Sequence, residues 1–208
     1  HDGVLADSES VFYDANRETF AEFGLELTPA LWGELYLADG SRTGDVAARL
    51  GLESHLIDAL IERRNQIYGR RLGTGVPLMA GVAECIAALH GRLRMAIVTG
   101  CPRRQMNAIH GSGKFLDQFD CIVTADDCEQ SKPHPAPYVE AMEILGLSTS
   151  ECIAVEDSPC GLASAVAAGL RCLLVPSDLT AIGMCSGAYK LCPDFRSAIA
   201  AIEELAEI

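Results

Sequence analysis

The side chains with the most chemical promise stand at separated points along the chain. His1-Asp2-Gly3-Val4-Leu5-Ala6-Asp7-Ser8-Glu9 opens it with carboxylates and a hydroxyl around a glycine turn. Thr99-Gly100 follows the apolar run Met95-Ala-Ile-Val, putting a hydroxyl and a backbone N–H at the end of a strand. Ser131-Lys132-Pro133-His134-Pro135 holds a lysine in a loop fixed by prolines. Glu156-Asp157 ends Ile153-Ala-Val, and two carboxylates at the end of a buried strand repel unless a cation sits between them. Each has a bland reading. A T-G pair is usually a turn, a lone lysine usually solvated, and an acidic pair often the start of a helix. Together they match the needs of phosphoryl transfer: an oxygen nucleophile, cations on the equatorial oxygens and a proton for the leaving group. Glu156 and Asp157 are hard oxygen ligands of the kind Mg²⁺ takes.

Such groups are useful only if the fold carries them to one place. Met95 to Val98, Cys121 to Val123, Cys152 to Val155 and Cys172 to Val175 are short apolar runs without alternation, and predict parallel strands covered on both faces. Helical patterns fall between them, over Gly81 to His90, Tyr138 to Leu145 and Gly161 to Ala168, the last with a glycine stop at Gly169. Strand and helix in alternation predict right-handed crossovers and an α/β, doubly wound, Rossmann-like parallel sheet. Open sheets of this kind bind ligands at the carboxyl ends of their strands, where each candidate group falls. Residues 14–75 carry apolar side chains at helical spacing, as at Leu56, Ile57, Leu60 and Ile61, and Gly73 to Pro77 closes the stretch like a linker. The expected division is a core of 1–13 and 76–208 with an inserted α-helical cap of 14–75.

In this order the pieces resemble the four motifs of the haloacid dehalogenase superfamily, and they span the chain. The opening resembles the tail of D-x-D-G-[VT]-[LI]-x-D-[ST], with His1 as x. The resemblance implies a Mg²⁺-dependent phosphatase working through an aspartyl-phosphate. It implies that the nucleophilic aspartate, and an apolar first core strand of roughly ten residues, lie upstream of His1 in the sheet's middle. Asp2 would be the general acid and base, its carbonyl a metal ligand beside Glu156 and Asp157. Thr99 and Gly100 would hold phosphate oxygens and Lys132 would pair with nucleophile and phosphate.

The insertion resembles the helical cap of the β-phosphoglucomutase-like branch, which implies that Arg42, in Gly40-Ser-Arg-Thr43, and secondarily Arg64 contact substrate. Phe12 stands near the position of that mutase's histidine. The lysines, Lys114, Lys132 and Lys190, all fall outside the cap, so a cap Schiff base is not available. Hydrolysis of a small sugar or polyol phosphate is the reading that remains. A phosphomutase and a non-catalytic phosphate-binding protein are the alternatives. Ala136 departs from a K-P-x-P-D pattern and removes a helix cap, though Pro137 still suits the first turn.

Composition bounds the partners. The 208 residues, 49% hydrophobic, are enough for a sizeable core, and a formal charge of −13 is unsuited to nucleic acid. No apolar run is long enough to span a bilayer. Nine scattered cysteines without a C-x-x-C pair suggest neither a disulfide framework nor a zinc site and suit a reducing cytoplasm; a monomer is expected. His55, His90, His110 and His134 read as ordinary residues, Cys101 as a small apolar filler, and Asp126-Asp127 as an acidic helix start.

Overall fold

The computed structural model describes residues 1–111, 114–177 and 185–206. Five short strands lie within them: β1 (Ala96–Val98), β2 (Cys121–Val123), β3 (Ile153–Glu156), β4 (Arg171–Leu174) and β5 (Lys190–Leu191). Every pairing is parallel, with Ile97 opposite Ile122, Ala154 opposite Cys172 and Leu173 opposite Lys190. The apolar runs predict β1 to β4 to within one residue at each end, and β5 is not expected from the sequence.

Alternation along the strands shows why both faces are apolar. Ala154, Cys172 and Leu174 pack with Tyr138 and Met142 of α7 (Ala136–Leu145) and Leu162 and Ala165 of α8 (Pro159–Ala167). Leu173 and Val175 point the other way, against Ala198 and Ala201 of α9 (Phe195–Ala206), joined by Ile153 and Val155. Helices thus cover the sheet from both sides, the arrangement of a Rossmann-like core, and α5 (Val82–Leu89) and α6 (Arg103–His110) complete it.

The strands form two sheets, β1-β2 and β3-β4-β5. Between them lies a mostly apolar slot of about 420 Å³, lined by Ala96, Ile97 and Val98 of one sheet and Ile153, Ala154 and Val155 of the other, with His1 and Leu5 also on its wall.

Ahead of this core, residues 8–72 are mostly helical: α1 (Ser8–Glu22), α2 (Pro29–Trp32) running into a π-helical turn at Gly33–Ala38, α3 (Thr43–Arg49) and α4 (Ile57–Leu72). Their apolar faces meet in a cluster of their own around Trp32, Phe20, Val46 and Leu60. Arg63 to Glu22 and Arg71 to Glu18 tie α4 to α1 at the surface. This is the helical cap. Helix α1 begins at Ser8 and runs unbroken through position 14, so cap and opening loop share one rigid element. Residues 73–77 are irregular, as a linker should be.

One helix expected from sequence is absent. Asp126-Asp127 starts no helix; these residues sit in a turn where Asp126 accepts from the Arg103 N–H at the head of α6, and Asp127 accepts from the Thr124 N–H and hydroxyl and from Arg103. Short acidic pairs satisfy orphan N–H groups of neighbouring segments as readily as those of a helix they begin. The cap missing at Ala136 is replaced locally: His134 Nδ1 accepts from the Ala136 N–H at 3.1 Å, and Pro137 occupies the first turn of α7. Helix α8 ends before Gly169, whose φ of +82° is the expected left-handed stop.

Candidate active site

The opening loop is a closed turn pinned to the core. His1 C=O accepts from the N–H of Leu5 at 2.7 Å, Gly3 N–H donates to Ala6 C=O, and Asp7 N–H and Met79 N–H bind the chain to Pro77 and Leu5. Gly3 has φ +68°, and a β-carbon there would stand 2.0 Å from Asp157 Oδ2, so conformation and space both require glycine. The turn sets Asp2 against the end of β1. Asp2 accepts from Ser8 Oγ at 2.5 Å and from Thr99 Oγ1 at 3.0 Å. His1 Nδ1 lies 3.1 Å from Asp2 Oδ2, a charge contact whose N–H is not aligned as a hydrogen bond. Burial would raise the Asp2 carboxyl, but the His1 charge and the two hydroxyls outweigh it and hold it well below the usual carboxylate range.

Asp157, 6% exposed, has the opposite balance. Burial first, then Glu156, push its carboxyl well above the ordinary range; Lys132 opposes and Asp2 adds to the rise. Two carboxyls whose surroundings drive them apart in this way are a mark of a working site. Glu156 is engaged elsewhere. Lys132 Nζ donates to its Oε1 at 2.5 Å and to Val98 C=O at 3.1 Å, and Tyr138 OH donates to the same carboxylate. A β-carbon on Gly161 would fall 1.9 Å from Glu156 Oε2, so the head of α8 closes over this carboxylate with no room to spare.

Asp2, Thr99, Gly100, Lys132, Glu156 and Asp157 therefore fall together at the strand ends: Asp2 contacts Thr99, Lys132 contacts Glu156 and the Val98 C=O, and Asp157 abuts Gly3. Two roles implied by the resemblance look different in place. The Thr99 hydroxyl donates to Asp2 while accepting from Cys101 N–H, so it orients a carboxylate rather than standing open. Glu156 is held by a lysine and a tyrosine rather than turned to a neighbouring carboxylate. Among the described residues no three His, Cys, Asp or Glu stand close enough to enclose a metal ion. Asp2 and Asp157 still fit a hard dication, since they crowd negative charge that a cation would relieve, and Mg²⁺ is commonly held by one or two carboxylates with the remaining positions left to water and substrate.

A cavity of about 520 Å³ opens from this group toward the helices, lined by Asp2, Ser8, Gly100 and Cys101 below and by Glu9, Phe12, Tyr36, Arg42 and Arg64 above. Arg42 is exposed at the head of α3, where its own N–H donates to Asp45. Arg64 is better embedded: its guanidinium lies 4.6 Å above the Phe12 ring, and its buried Nε has no hydrogen-bond partner among the described residues. Phe12 therefore supports a cation. Tyr36 OH and Thr43 Oγ1 both donate to Asn16 Oδ1, tying the cap's rim to α1.

Sequence reasoning missed several members. Ser8 was signalled by its place in the opening motif. Glu9 also stands in that motif, whereas Tyr138 and Trp32 had no sequence signal, because their roles exist only across elements. His110 lies in α6, and it is more than an ordinary helix residue: its Nε2 meets His1 Nε2 at 2.7 Å and its ring stacks on Phe115.

The haloacid dehalogenase-like hydrolase family profile matches residues 1–175. The chain is 37% identical to Protein CbbY of Rhodobacter capsulatus, over 98% of this chain and 95% of that one. It is 26% identical to hexitol phosphatase B of Escherichia coli K12, covering 85% of this chain and 81% of that protein. A crystal structure of a CbbY variant from Rhodobacter sphaeroides in complex with xylulose-1,5-bisphosphate superposes with a TM-score of 0.76 at 26% identity, over 93% of this chain and 91% of that one.

Proposed function

The chain belongs to the haloacid dehalogenase-like hydrolases and is a phosphatase of small phosphate esters; from that premise we propose that it hydrolyses a sugar or polyol phosphate, with Mg²⁺, through an aspartyl-phosphate. The observation that carries the reading is the gathering of Asp2, Lys132, Asp157 and the Thr99-Gly100 strand end beneath a cavity that presents Arg42 and Arg64. The named ligands of the relatives, a hexitol phosphate and a sugar bisphosphate, are of this class.

The division of labour follows from the geometry. Asp2 takes and returns the proton, because it is the carboxylate aimed into the cavity by two hydroxyls. Lys132, steered by Val98 C=O and Glu156, supplies fixed positive charge for the phosphoryl oxygens without needing to reorganise. Gly100, without a side chain, lets those oxygens approach the backbone. The Asp2 carbonyl and the Asp157 carboxylate would hold the metal, with Glu156 acting on the site through Lys132. Mg²⁺, when bound, neutralises phosphate charge so that a carboxylate can attack. By the D-x-D resemblance that carboxylate would be an aspartate two positions ahead of Asp2. Arg64 on its Phe12 platform, with Arg42 at the rim, pairs with a hydroxyl-rich or anionic group far from the reacting phosphate.

The test is phosphate release from glucitol 6-phosphate by a chain carrying aspartate directly before His1. Turnover that needs Mg²⁺ and stops with EDTA is expected, whereas full turnover in metal-free buffer, or none on any polyol or sugar phosphate, refutes the reading.

A further inference from the structure

We propose that Glu9 reads the substrate: its carboxyl, aimed by the indole of Trp32, takes a hydroxyl of the carbon chain beside the phosphate. This rests on the polyol or sugar phosphate reading above and names a residue that fixes it.

Glu9 follows Ser8 at the start of α1 and lines the cap cavity together with Asp2 and Ser8. Its Oε1 accepts from Trp32 Nε1 at 2.7 Å. Trp32 is fully buried, stacks on Tyr36 with ring centroids 3.9 Å apart, and meets Phe12 and Tyr13 edge to face. The indole N–H therefore cannot turn to follow a moving partner, and the direction of the carboxyl is set by packing. No lysine, arginine or histidine among the described residues pairs with Glu9, and its charged neighbours are Asp157, Asp2 and Asp7. No three acids there are spaced to share a metal ion.

A buried tryptophan N–H needs only an acceptor, and a neutral amide or hydroxyl would serve at less cost than a carboxyl among three others. A carboxyl that keeps one hydrogen bond and faces a cavity has capacity for a ligand donor or acceptor. Burial first, and then the neighbouring acids, push it up, and in either protonation state its oxygens accept from an alcohol O–H. A second phosphate or carboxylate on the ligand would instead go to the arginines across the cavity. Because Glu9 is close enough to Asp2 and Asp157 to feel their charge, the hydroxyl it meets is near the phosphorylated carbon.

Calorimetric binding to the full chain in Mg²⁺ buffer tests this with two probes, orthophosphate and glucitol 6-phosphate, on wild type, Glu9→Ala and Trp32→Phe. Glu9→Ala should weaken glucitol 6-phosphate about 10-fold and leave orthophosphate within about 2-fold, the loss of one hydrogen bond to a fixed acid. Trp32→Phe keeps the ring stack but frees the carboxyl, and should give a smaller loss, about 3-fold, with the same selectivity. Should Glu9→Ala fail to fold, Trp32→Phe carries the test alone. Equal loss for both probes, or none for either, overturns the assignment. Wild type that binds orthophosphate but no polyol phosphate overturns the substrate reading on which it rests.

Discussion

Asp2 is the residue on which most of the chemistry turns, and its environment decides how it acts. Ser8 and Thr99 each spend a hydroxyl proton on it, so both oxygens are oriented before substrate arrives. In a chain carrying the nucleophile, Asp2→Asn should slow hydrolysis of a sugar phosphate by about 10²-fold or more, within the usual contribution of general acid–base catalysis. The loss should be smaller with p-nitrophenyl phosphate, whose leaving group scarcely needs a proton. Equal losses on both esters would take the proton-transfer role away from Asp2. His110 offers a stability measurement separate from the chemistry. Burial first, then His1, lower it from 6.5 to about 4. Between those values the unfolded chain binds a proton that the folded chain refuses, so stability is full above about pH 6.5 and declines as pH falls toward 4. Because the ring is only partly buried, the decline is about 1–2 kcal/mol. Urea melts of wild type and His110→Phe across that range should show a slope in wild type that the variant flattens.

At the scale of elements, the site depends on how closely the head of α8 meets β3 and how α4 meets α1. Gly161→Ala would put a methyl where Glu156 Oε2 now lies, forcing that carboxylate off Lys132 and Tyr138. Overpacking of this kind costs about 1–3 kcal/mol, and phosphate binding should fall with it because Lys132 loses its guide. An unchanged melting temperature and phosphate affinity would show that the carboxylate has somewhere else to go. The α4 to α1 contact sets the cap's cation. Arg64→Ala should lower kcat/KM for the preferred sugar or polyol phosphate by about 10-fold or more, and Arg42→Ala by less, since the rim arginine is exposed and loses more freedom on binding. Small activated esters that cannot reach the cap should be unaffected by either change, and a uniform loss across esters would deny Arg64 this role. Elements of this kind were legible in the sequence where periodicity decides them. Continuous apolar runs gave four strands to within a residue, and the glycine after α8 marked its stop. Asp126-Asp127 was misread because an acidic pair caps whatever N–H groups lie near it in space, here those of Arg103 and Thr124. Lys132, Asp157 and Asp2 were legible as a set through order and placement at strand ends. The partnerships that define the site, Tyr138 with Glu156 and Arg64 over Phe12, arise between elements, and spacing along one chain carries no trace of them.

For the molecule as a whole, the slot between its two sheets has an energetic consequence. Among the described residues the strands on either side, β1 and β3, are each paired on one side only, and the slot between them is mostly apolar. Backbone N–H and C=O groups along a buried edge cost free energy until they find partners. A segment that is extended, apolar and parallel to both strands would satisfy two edges at once, and from the slot wall it would lead directly into His1. The expected apolar strand ending in aspartate has these properties, and its last residue would arrive beside the Asp2 turn. Each fully buried aliphatic side chain contributes about 1.5–3 kcal/mol, against about 1–2 kcal/mol per residue for ordering the backbone. The new hydrogen bonds to both edges add to that balance. A chain carrying such a strand directly before His1 should therefore melt about 5 °C or more above the chain beginning at His1, as roughly 2 kcal/mol of added stability would give at this size. The β1 and β3 amides should also gain protection from hydrogen exchange. A second version with its strand residues changed to serine, but the final aspartate kept, separates burial from charge: it should lose the thermal gain. Equal melting temperatures for all three chains, with no added protection at β1 or β3, would mean that the slot does not accept a strand.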